Sequence, residues 1–170
     1  MSRDEYCAWL REQTARYERI DGEVVAMAPE RAVHLRLKRD VLLALIATCP
    51  AGCEVLPDGA TVETEDGDYE PDAVVNCGAR MADDATVAPN PVVVVEVLSP
   101  STRGGDLNRK LVGYFKVASI QHYLILFPDR PQVIHHRRHG GQVLTSIHTT
   151  GAISLDPPGI SLSLDKIYHR

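Results

Sequence analysis

The sequence predicts a small α/β domain (α+β in the broader sense), and three features carry that reading. The run Val92-Val93-Val94-Val95-Glu96-Val97-Leu98 is apolar at nearly every position, which suits a central strand covered on both faces. Upstream, His34, Leu37, Val41, Ala44, Leu45 and Thr48 recur at helical spacing. Downstream, a second amphipathic helix is followed by further strand-like runs. With 170 residues the chain fits one domain with its own core. Its 44% hydrophobic and 24% charged composition is that of a globular protein, not of a disordered or membrane-spanning chain. The expected layout is a single domain over 1–170: an N-terminal helix and hairpin over about 1–27, a core over about 28–138, and a C-terminal hairpin and tail over 139–170.

The elements follow in order. Ser2-Arg3-Asp4-Glu5 has capping-box spacing and predicts a helix to about Ala15. Tyr17 to Met27 reads as a hairpin turning at Asp21-Gly22, residues that tolerate the positive φ such turns need. Pro29 suits the first turn of a helix reaching about Thr48, with Leu35, Leu42 and Ile46 widening its apolar face and Arg36, Lys38, Arg39 and Asp40 mostly solvated. Glu54–Val62 and Asp68–Asn76 are expected strands joined by the acidic turn Glu65-Asp66-Gly67, and 78–89 is irregular. Ser99 to Gly105 is a loop, and Asp106 caps a helix over about Leu107–Ala118. His122–Phe127 and Gln132–Arg138 are strands, and Gly140-Gly141 turns into Gln142–Ile147. The tail with Pro157-Pro158-Gly159 is expected to fold over the outside.

The net charge of −5 and sequence pI of about 5.8 argue against a protein that coats nucleic acid by bulk electrostatics, though a local basic strip can still hold phosphates. No apolar run approaches a membrane span, and the polar, acidic opening lacks signal-peptide character, so the cytoplasm is the expected compartment. The spacing of Cys7, Cys49, Cys53 and Cys77 matches no zinc motif, and reduced, buried thiols are expected. His135-His136-Arg137-Arg138-His139 suggests either a phosphate contact or, as the preferred reading, a solvated edge strand blunted by charge.

Chemistry enters with Glu96. Strand alternation sets it on one face with Val92, Val94 and Leu98. A carboxylate in so apolar a strand is costly unless a metal ion, a lysine or backbone donors compensate it. Asp72, after Pro71, shares a face with Val74, and if its strand neighbours that of Glu96 the two carboxylates meet; hard oxygen ligands of this kind suit Mg²⁺ or Mn²⁺. On the helix after Asp106, Leu107, Leu111, Tyr114, Phe115 and Ala118 form the buried face. Lys110 lies roughly 85° from its centre, at about 100° per residue, and can reach back to Glu96. Arg109 and Lys116 point away.

These residues also carry a resemblance. Glu70-Pro71-Asp72-Ala73-Val74-Val75, then Val94-Val95-Glu96-Val97-Leu98-Ser99-Pro100-Ser101-Thr102, then Asp106 and Lys110-Leu111, resemble the Uma-two family, restriction-endonuclease-like proteins of the PD-(D/E)XK superfamily. Glu18-Arg19-Ile20-Asp21-Gly22-Glu23, Pro29 and His34 resemble that family's opening, and the likeness covers roughly Tyr17 to Arg138. The resemblance implies a restriction-endonuclease-like core, a central mixed sheet flanked by helices, with Asp72 and Glu96 as metal ligands. The common motif has a lysine where Leu98 stands; family-like placement moves it to Lys110. Glu23 and His34 are accessory candidates, and Ser99, Ser101 and Thr102 are candidate phosphate contacts. His34 and the hydroxyl loop serve structural roles equally well.

The function so implied is a metal-dependent endonuclease hydrolysing phosphodiester bonds, with DNA as the expected nucleic-acid partner, no membrane partner, and a homodimer suited to a two-stranded substrate. The alternative is a non-catalytic nucleic-acid-binding or regulatory module that retains the fold.

Overall fold

The computed structural model describes residues 1–27, 29–65, 67–99 and 104–168, with only the backbone of 104–106. The N-terminal helix α1 (Arg3–Leu10) precedes the hairpin β1 (Tyr17–Ile20) and β2 (Glu23–Ala26), and α2 (Ala32–Thr48) follows. Next come β3 (Cys53–Pro57), β4 (Val62–Glu63), β5 (Gly67–Tyr69), β6 (Ala73–Cys77) and β7 (Pro91–Val97). The remainder is α3 (Gly104–Lys116), β8 (His122–Leu126), β9 (Val133–His139), β10 (Gln142–His148), β11 (Ala152–Leu155), β12 (Ile160–Ser163) and α4 (Leu164–Ile167).

The central sheet has six strands in the order β10-β9-β8-β7-β6-β3. Only β7 and β8 run parallel, as α3 crosses over between them; the other pairs are antiparallel, so the sheet is mixed. A smaller sheet, β2-β1-β5-β4, and a two-stranded sheet, β11-β12, complete the structure. Alternation along the central strands makes two cores. Ala73, Val75, Val93, Val95, Leu124 and Leu126 meet Leu37, Val41 and Leu45 of α2 together with the C-terminal tail. Val74, Val94, Tyr123 and Ile125 meet Tyr114 of α3 and Ile20, Val62 and Tyr69 of the smaller sheet. Among the described residues, no helix is long and apolar enough to cross a membrane.

Local chemistry accounts for the ends. Ser2 and Glu5 form the reciprocal capping box on α1, but the helix stops at Leu10, short of Ala15, where Trp9 packs edge-on against Tyr17 and the chain turns into β1. Asp21 (φ 50°) and Gly22 (φ 76°) make the hairpin turn. Helix α2 begins at Ala32, after Pro29, and Glu30 therefore lies outside it. Leu35 and Ile46 are exposed rather than part of its apolar face. The two strands expected over 54–62 and 68–76 are each divided: β3 and β6 pair in the central sheet, while β4 and β5 pair in the smaller one. Helix α3 starts at Gly104, so Asp106 sits in its first turn, near the positive end of the helix dipole, rather than at its cap.

Three further expectations are corrected. Strand β9 is not an edge, because β10 returns along its outer side; His135 and His136 are buried, and β10 is the exposed edge. The tail does not lie over the outside: Ile153, Leu155, Ile160, Leu162, Leu164 and Ile167 are core residues against α2. The antiparallel register sets Cys53 opposite Cys77, and the two form a disulfide. Cys7 is exposed and Cys49 half-buried, both as free thiols.

Candidate active site

Pro71 carries no N–H, and the chain after it enters β6. The Asp72 N–H donates to Val95 O (2.9 Å), and the Val97 N–H donates to Asp72 Oδ2 (2.5 Å). The register pairs Ala73 with Val95; extended by one residue, it sets Asp72 opposite Glu96 on the neighbouring central strand. Asp72 is buried. Burial raises its carboxyl pKa, and the Lys38 ammonium partly offsets that rise.

Glu96 Oε1 accepts from Lys110 Nζ (2.9 Å) and from the Tyr114 hydroxyl (2.8 Å). Burial pushes the Glu96 carboxyl up to about 7, with Lys110 opposing the shift and Asp72 and Glu18 adding to it. Two bonds on Oε1 leave the other oxygen, Oε2, engaged by neither donor.

Lys110 is buried and reaches back to Glu96 from α3. Its ammonium also reaches Glu18 Oε1 (2.8 Å), which accepts the Glu70 N–H as well (2.8 Å). Burial alone would lower the lysine pKa, but Glu96 and Glu18 overrule it and the net shift is upward. The Tyr69 ring lies 5.9 Å from the same ammonium.

A second lysine faces Asp72. Lys38 Nζ is 2.6 Å from Asp72 Oδ1 and 3.2 Å from Asp58 Oδ2, and it also pairs with Glu30. Arg16 joins Asp58 and Glu70 from the outside. Around the two central acids, then, Arg16, Lys38 and Lys110 face Glu18, Glu30, Asp58, Glu70, Asp72 and Glu96, an excess of negative charge.

His34 is buried, and its Nε2 lies 2.7 Å from Leu98 O. A carbonyl only accepts, so Nε2 carries the proton in the neutral ring. Its Nδ1 is buried without a partner among the described residues. Glu23 is not brought to this centre: it is exposed on β2, 3.6 Å from Arg109. Ser99 follows the Leu98 carbonyl that His34 holds; Ser101 and Thr102 lie outside the described residues.

Sequence reasoning missed Lys38 and gave Glu18 no role. Lys38 was expected in solvent, yet it stands four residues after His34 and three before Val41, on the buried stripe, so the helical wheel carried its signal. Glu18 alternates with Ile20 on a strand, a signal that meant little until α3 was known to pack against it.

A mixed central sheet flanked by helices, with Asp72 just ahead of β6, Glu96 on β7 and Lys110 reaching in from the following helix, is consistent with a restriction-endonuclease-like fold of the PD-(D/E)XK type. The chain belongs to the Uma2 family, whose model, described as "Putative restriction endonuclease", matches residues 3–165. A solved structure described as "a putative nuclease belonging to DUF820" from Anabaena variabilis has a TM-score of 0.82 over 99% of this chain and 98% of that one; at 16% identity the likeness is one of fold. The Synechocystis protein slr1290, described as uncharacterized, is 26% identical over 181 residues, 99% of this chain and 91% of that protein.

Proposed function

We propose that the chain is a metal-dependent endonuclease that hydrolyses phosphodiester bonds of DNA, with Asp72 and Glu96 as the metal ligands and Lys110 as the catalytic lysine. The observation that supports this reading is the placing of Asp72 at the entrance to β6, where the β6–β7 register continued by one residue sets it opposite Glu96, with Lys110 Nζ 2.9 Å from Glu96.

The donors fit a hard divalent cation such as Mg²⁺ or Mn²⁺. They are carboxylate oxygens in a cluster whose acids outnumber its cations, and the Glu96 carboxyl is raised first by burial and then by the neighbouring Asp72 and Glu18, a cost that a bound cation would offset. When bound, such an ion supplies Lewis acidity, activating water and neutralising charge on the scissile phosphate.

The chain's own residues do the rest. The Val97 N–H fixes one oxygen of Asp72, so the carboxylate is oriented before substrate arrives. The Tyr114 hydroxyl holds Glu96 Oε1. Lys110 is kept charged by Glu96 and Glu18, and its ammonium is available to stabilise negative charge developing at the phosphate. A dimer would bring two such centres to the two strands of a duplex.

The test is cleavage of a mixed pool of DNA and RNA with Mg²⁺ or Mn²⁺, compared with EDTA, for wild type, Asp72→Asn and Glu96→Gln. Cleavage of DNA that EDTA and both substitutions abolish supports the proposal. Binding of the pool without any cleavage would replace it with the binding-module reading.

A further inference from the structure

We propose that Lys38 is a built-in cation occupying the position of a second metal ion beside Asp72, so that the centre takes one divalent ion and not two. The inference rests on the metal-dependent reading above.

Lys38 sits in the second turn of α2 with its side chain only 11% exposed. Its ammonium meets Asp72 at 2.6 Å and Asp58 at 3.2 Å, and pairs with Glu30. These acids come from three separate segments: the stretch before α2, the turn after β3, and the entrance to β6. One oxygen from each lies within 4.8 Å of the others, a spacing that one cation could bridge. An ammonium has three N–H donors, and here three carboxylates surround it.

The arrangement has a chemical consequence. Two-metal nucleases hold ions about 3.5–4 Å apart across a shared carboxylate. Asp72 would be the shared carboxylate here, but its Oδ1 is held by the Lys38 ammonium, and only Oδ2, which accepts the Val97 N–H and keeps a further lone pair, is left for an ion. Glu30 and Asp58, which could complete a second ion's shell, are held by the same ammonium. A tethered positive charge thus engages all three carboxylates on this side of the cluster at once. The single exchangeable ion is left to the side of Glu96.

The experiment is a Mn²⁺ titration of the whole chain, with bound ions counted by calorimetry and by the EPR signal of free Mn²⁺. Wild type and Lys38→Arg are expected to bind one ion per chain. Lys38→Met is expected to bind two, and Lys38→Met combined with Asp58→Asn to return to one. Two ions on wild type, or no gain in Lys38→Met, would overturn the proposal. No ion on wild type with one on Lys38→Met, lost again with Asp58→Asn, would support the role of Lys38 while removing the metal-dependent reading. If Lys38→Met is unfolded without metal, circular dichroism during the same titration decides. Recovery of the fold with Mn²⁺ supports the proposal, and failure to recover it overturns it.

Discussion

The Lys110 ammonium lies 2.9 Å from Glu96 Oε1 and 2.8 Å from Glu18 Oε1, so one lysine ties α3 to both the central and the smaller sheet. Removing one partner of a buried ion pair typically costs about 3–5 kcal/mol, because the remaining charge is left uncompensated. Lys110→Ala is therefore expected to lower stability by about that amount in urea unfolding as well as to abolish cleavage. Arg109→Ala and Lys116→Ala, whose side chains are each 41% exposed, are expected to stay within about 0.5 kcal/mol of wild type and to keep activity. Equal loss of activity in all three would replace the catalytic assignment with a general electrostatic role for the helix.

The histidines of β8 and β9 give a pH prediction. Burial, then His122, His148 and Arg137, push the His135 imidazole down to about 3. The unfolded chain, with its histidine near 6.5, binds the extra proton first. Stability from this group is therefore full above about pH 6.5 and falls as pH drops toward 3. By pH 5 the loss should be about 2 kcal/mol for His135 alone. Urea unfolding at pH 7.5 and pH 5 should show a smaller drop for His135→Gln than for wild type. His122 and His136 are lowered by burial as well, so the variant keeps part of the slope. An identical drop in both proteins would show that His135 is not held neutral.

The tail is predicted to be indispensable. Leu162 is fully buried in the core that α2 covers. Leu162→Ala should cost about 2–5 kcal/mol, the usual range for a large-to-small core change. A loss below about 0.5 kcal/mol, the scale of surface changes, would mean the tail is not packed in solution.

How much of this was legible in the sequence depended on the distance over which each signal acts. The hairpin turn at Asp21-Gly22 and the strand beginning at Pro91 were legible because backbone preference and strand periodicity are local properties. The candidate acids were visible because a Glu inside an apolar strand needs compensation. The Cys53–Cys77 bond, the burial of β9 and the docking of the tail depend on which strands become neighbours, and no local pattern states that. Glu30 and Asp58 reached the site for the same reason, from loops with no periodicity. Lys38 differs, since its position on the stripe was readable but a lysine there was assigned to solvent by residue type.

The most direct test of the central claim is a thermal melting series against Mn²⁺ for wild type and Glu96→Gln, run alone and with a short DNA duplex. A ligand bound only by the native state stabilises it by about 2.7 kcal/mol at one hundred times its dissociation constant. For a chain of this size each kcal/mol is worth about 2–4 °C. The account predicts that the wild-type Tm climbs by several degrees with Mn²⁺ in at least one of the two series, and that Glu96→Gln stays flat in both. A wild type that shows no shift at millimolar Mn²⁺ even with the duplex, or a Glu96→Gln variant that climbs just as far, would contradict it.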